Sequence, residues 1–124
     1  MTLSEALARL SRLRDRRITR ANNWHGMADA CDERLNNADD VMAASQREML
    51  ADMRDAALRH ERSMLEDAEA IGLVLDAPDY YEYREALSDL VHLMSEEDAL
   101  NGGGPGFSAR WEAAKRRAFE LFEP

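Results

Sequence analysis

The residues of this chain whose types and spacing could do chemistry are acidic and lie in its second half. Glu85, Asp89 and His92 stand at i, i+4 and i+7, so a helix through them carries two carboxylates and an imidazole on one side. Such donors suit a divalent cation, and a carboxylate site in an all-helical protein usually draws on two helices. Glu66 and Glu69, one turn apart, offer the second contribution. A magnesium ion held there would bridge phosphate oxygens and orient an attacking water. The competing reading is plainer: a charged stripe on an amphipathic helix is its solvated face.

Glu66 and Glu69 match an ExxE pattern. In this the segment resembles the all-α nucleotide pyrophosphohydrolases, whose paired helices carry ExxE and ExxD magnesium ligands. The resemblance implies hydrolysis of nucleoside triphosphates to monophosphate and pyrophosphate, with Glu66, Glu69, Glu85 and Asp89 holding the metal. The ExxD half is not matched, because Ala86 stands three residues before Asp89.

Other candidates are weaker. His60 falls in an apolar stripe, as a satisfied core polar group or a pH-sensitive element in a helix interface. His25 has Asp29 as its one carboxylate at helical spacing. Cys31 is the single cysteine, so no disulfide forms within the chain, and on an apolar helix face it reads as a small buried hydrophobe. The run Asn101-Gly102-Gly103-Gly104-Pro105-Gly106 lacks the Gly-Lys-Ser/Thr of a phosphate loop and reads as a flexible linker. Three scattered histidines single out no nucleophile–base arrangement.

Charge is uneven. The 124 residues carry a net of −9, which disfavours direct nucleic-acid or anionic-membrane binding. Residues 1–20 hold six Arg against Glu5 and Asp15, whereas residues 61–100 hold twelve acids against Arg62 and Arg84. Most of those acids are expected to face solvent, either for solubility or to meet a basic partner. No apolar run approaches the ~20 residues of a membrane span, and the N-terminal leucines are interrupted by charges, unlike a signal peptide. A cytoplasmic location in a bacterium or phage is the expectation.

The elements that must position these residues are helices. Thr2 and Glu5 have capping-box spacing. Leu3, Leu7, Leu10, Ala21, Trp24, Ala28, Cys31 and Leu35 then trace one face. Arg14 and Arg17 stand inside the stripe, where either their stems cover the seam while their heads reach water or the helix breaks, and one helix to about Leu35 is the preferred reading. Asn36 and Asn37 end that helix, and a two- or three-residue connection leads to a second, capped at Asn37 or Asp39. Met42, Met49, Met53, Ala56, His60, Met64, Ala68 and Ile71 form its apolar stripe, as core, dimer interface or adaptable binding groove. It stops at Gly72 or Leu75. Asp79 caps a third helix with Tyr83, Leu87, Leu90 and Met94 inside and a frayed Ser95–Asp98 end, and Ser108 caps a mobile last one.

The fold expected is all-α: a long antiparallel, coiled-coil-like hairpin plus two shorter helices, forming a bundle and a homodimer. Residues 1–100 make the hairpin with its third helix, 101–107 the linker, and 108–124 the final amphipathic helix. The preferred function is a non-catalytic interaction module without cofactor. It would bind a basic protein partner through Glu82, Glu85 and Asp89, or any partner through Met49 and Met53, as a regulator, inhibitor or nucleic-acid mimic. The alternatives are the magnesium-dependent pyrophosphohydrolase-like enzyme and a metal site at Glu85, Asp89 and His92.

Overall fold

The computed structural model of the chain describes residues 2–37, 42–77 and 81–122, the side chains of 81–83 excepted. Every regular element among the described residues is a helix: α1 (Leu3–Asn36), α2 (Ala44–Leu75), α3 (Tyr81–Ala99) and α4 (Phe107–Phe122). None of them is long and apolar enough to cross a membrane. The chain divides into two compact units, residues 1–16 with 66–124, and residues 17–65.

Helix α1 begins where its capping box predicts. The Thr2 hydroxyl accepts the Glu5 N–H at 3.1 Å, and the Thr2 carbonyl accepts from Ala6 at 3.0 Å. Helix α2 starts later than expected. The Ala43 carbonyl receives the N–H groups of Gln46 and Arg47, so Ala43 occupies the cap position, and the connection spans 37–43. Met42 therefore lies outside the helix, while Asp39 and Asp79 lie outside the described residues. Gly72 is interior to α2, and the Leu73-Val74-Leu75 run is helical.

In the first unit Leu10, Leu13, Ile71, Val74, Leu90, Met94, Trp111 and Ala118 form one core. Each large side chain removed from water there contributes roughly 1.5–3 kcal/mol. Arg14 lies beside Gly72, where a β-carbon would sit 3.9 Å from the Arg14 Cδ, so the start of α1 runs along the end of α2. Trp111 and Ala118 bring α4 into this core, so it is docked rather than merely tethered.

The segment before α4 is ordered by specific bonds. Asn101, with φ 48°, takes the left-handed conformation that closes α3, and the Gly102 N–H reaches back to the Glu97 carbonyl at 3.0 Å. The expected fraying of Ser95–Asp98 does not occur, because Glu96 is used as an anchor. Its carboxylate accepts the Gly104 N–H at 3.2 Å and a two-pronged grip from Arg110, both prongs at 2.6 Å. Helix α4 then starts one residue before Ser108, with the Gly106 carbonyl accepting from Arg110.

The second unit pairs α1 with α2 antiparallel. Asp32 meets Arg54 at 3.1 Å and His25 meets Glu61 at 2.9 Å, so seven residues back along α1 match seven forward along α2. The α1 seam is the expected one: Arg17, Ala21, Ala28 and Cys31 are buried, with Trp24 and Leu35 half-buried. The α2 seam is not. It runs through Leu50, Arg54, Ala57, Glu61 and Met64 in alternating steps of four and three. Met49, Met53 and His60 stand beside it, exposed.

Candidate functional site

Three acidic candidates of the first unit, Glu66, Glu85 and Asp89, stand near cations of their own chain. Helix α4 places Arg117 opposite α3, with one guanidinium nitrogen 2.6 Å from Glu85 and another 3.8 Å from Asp89. The hydrogen bond to Glu85 outweighs desolvation and holds the Arg117 proton more firmly than usual. His92 is exposed along a groove of about 580 Å³ lined by Leu3, Ala6, Leu87 and Val91. Among the described residues, no three His, Cys, Asp or Glu side chains converge to hold a metal ion. Glu66, Glu69, Glu85 and Asp89 are thus not assembled into one site, and the Glu82 side chain lies outside the described residues.

Lys115, the one lysine in the chain, is only 3% exposed. Its ammonium stands 2.8 Å from Asp67, 3.0 Å from Glu112 and 3.8 Å from Glu66. Burial pulls its pKa down, but pairing with Asp67 and Glu112 pushes harder, so the net direction is upward. Asp67 is buried too, an exception among the described acids of this segment, which are otherwise exposed or half-buried. The signal was available: Lys115 lies between Trp111 and Ala118 on the apolar side of α4, where a charge demands a partner. What this cluster does is fasten α4 to α2.

The second unit carries a different surface. His60 stacks on Trp24, ring centres 4.5 Å apart and planes within 20°. The pair, with Arg20, Asn23, Met27 and Met64, lines an open groove of about 500 Å³. Along α2 from this groove, Met53 and Met49 project at 44% and 55% exposure, and Met27 on α1 is 44% exposed. His60 is therefore neither a core group nor buried in the helix pair. On α1 next to Trp24, His25 is gripped at both ring nitrogens, by Glu61 at 2.9 Å and Asp29 at 3.4 Å. The Glu61 hydrogen bond first, and the Asp29 charge second, raise its pKa above the ordinary value. Glu61 is the partner that helical spacing within α1 could not reveal.

Large apolar side chains left in solvent concentrate here: Ile18, Met27, Met49, Met53, Leu58 and Leu65 all belong to residues 17–65. The first unit leaves Leu3, Leu100 and Leu121. Alanines explain the contrast. Ala21, Ala28 and Ala57 fill the seam of the second unit, and each buries one methyl where a leucine would bury four carbons, at roughly 0.8 kcal/mol per carbon. No protein-family model, curated protein or solved structure matches this chain.

Proposed function

We propose that the chain is a non-catalytic helical interaction module that binds a macromolecular partner through the methionine-bearing side of residues 17–65. The observation that carries this reading is the exposure of Met27, which lines the Trp24–His60 groove, and of Met49 and Met53 further along α2. Unbranched thioether side chains repack around different partners at low cost, so such a surface suits binding rather than chemistry. A two-helix unit with a seam of alanines also gains more than a larger domain from covering its outer side chains.

The acidic face is the lesser contributor. Glu85 and Asp89 share Arg117, so part of the charge that would steer a basic partner is already answered within the chain. The test is binding measured with two sets of variants. Met49→Glu with Met53→Glu should abolish partner capture from the native host, with little dependence on salt. Glu85→Lys with Asp89→Lys should leave capture largely intact. Loss in the second pair alone, relieved by salt in the wild type, would transfer the function to the acidic face.

A further inference from the structure

We infer that the partner seated on this methionine surface is a second copy of the chain, packed α2 against α2 in antiparallel fashion about a twofold axis at Ala56. The inference rests on the reading above and deepens it. A twofold interface requires one patch to be complementary to itself, so that residue i of one copy meets j of the other and j meets i. Along α2 the side that bears the exposed Met49, Met53 and His60 also carries the half-buried Ala56 and, at the edge of the seam, the half-buried Met64, in steps of four, three, four and four. Projecting methionines stand at one end and the groove at the other, with a small residue between them.

Turned about Ala56, a residue a given number of places before it lies opposite the residue as many places after. Met49 then enters between His60 and Met64 of the copy, at the wall of the 500 Å³ groove. Met53 enters between Ala56 and His60. Ala56 meets itself, and its single methyl permits the close approach that a larger side chain would block.

Charge supports the same register. Asp52 and Arg59, both exposed and seven residues apart on one side of this stripe, stand four before and three after Ala56. The axis therefore sets Asp52 of each copy beside Arg59 of the other, two opposite-charge pairs at the rim of the contact. Residues 17–65 carry seven Arg against nine Asp and Glu, a net of −2 out of the chain's −9. Two copies meeting there bring together the least repulsive part of the molecule.

Sedimentation equilibrium on the whole chain tests this. The expected mass is twice 14.1 kDa at concentrations up to roughly 100 µM, where a micromolar Kd leaves most chains paired. Asp52→Arg and Arg59→Glu should each weaken association tenfold or more, and the two together should restore it. Ala56→Cys in a Cys31→Ser background should oxidise to a covalent dimer, whereas Arg47→Cys in the same background should not. Helix content by circular dichroism confirms that the variants fold.

A wild-type chain that stays monomeric overturns the inference. So does a double swap that fails to rescue, or a dimer indifferent to Met49→Glu with Met53→Glu. If the wild type is monomeric yet those methionine variants lose a different captured chain, the self-pairing fails and the binding reading stands. If neither a dimer nor a methionine-dependent partner is found, both fail.

Discussion

Replacing Lys115 by Met tests how α4 is held. The substitution keeps the aliphatic stem and its packing but deletes the ammonium that stands 2.8 Å from Asp67. The side chains of the pair are 3% and 5% exposed, so water cannot take over the solvation of Asp67 without the site opening. Breaking a buried pair from one side costs about 3–5 kcal/mol, because the remaining charge loses its compensation. Glu112 and Glu66 are half-exposed and lose little when the cation goes. For a chain of 124 residues the loss corresponds to a fall in Tm of roughly 10–20 °C. Urea titration followed by circular dichroism gives the stability, and a double-mutant cycle with Asp67→Leu gives the coupling. The double variant should recover most of the loss, since a well-packed apolar pair is often as stable as a buried ion pair. A cost for Lys115→Met below about 1 kcal/mol, the range of surface pairs, would refute the claim that these charges are desolvated.

Adjacent residues of α2 should behave differently in dilute, dissociated protein: Leu50→Ala should cost about 2–5 kcal/mol, while Met49→Ala should stay within about 0.5 kcal/mol. Equal costs by urea titration would contradict the seam described for residues 17–65. His25 has a folded pKa above its unfolded value, so its contribution is complete below about pH 6.5 and is lost as pH rises through the folded value. The difference in urea midpoint between wild type and His25→Gln should therefore be larger at pH 5.5 than at pH 8.5, and a pH-independent difference would remove the Glu61–His25–Asp29 grip from the account. Gly103 has φ 98°, and a β-carbon there would collide with the Phe107 ring. Gly103→Ala should destabilise by more than about 1 kcal/mol in thermal melts, and a neutral result would mean that this turn is not held as described.

The helices and much of the α1 seam could be read from the sequence because apolar periodicity there coincides with burial. Arg14 fitted, half-buried with a stem that covers apolar surface, whereas Arg17 is buried whole rather than along its stem alone. The same rule misplaced the α2 seam by one position from Met49 to His60, while Ala68 and Ile71 of the expected stripe are buried and Met64 lies on the seam. Arg54 and Glu61 lie on the seam as polar residues, answered by Asp32 and His25 across the helix pair. Met49 and Met53 are apolar and lie off it. A period-based reading chooses the methionines, because cross-helix ion pairs leave no mark within one helix. The glycine-rich connection was misread for a related reason. Composition alone suggests flexibility, but Glu96 and Arg110, fourteen residues apart, supply the grip that orders it.

The measurement closest to the central claim follows the methionine methyl groups by NMR in the presence of a soluble relaxation agent. In dilute, dissociated protein the methyls of Met27, Met49 and Met53 should relax strongly, while that of Met94, 1% exposed, should not. On association with the second copy, Met49 and Met53 should become protected and Met94 should remain unchanged. Methyls of Met49 and Met53 that stay equally accessible in every associated state, with or without a partner, would contradict the account.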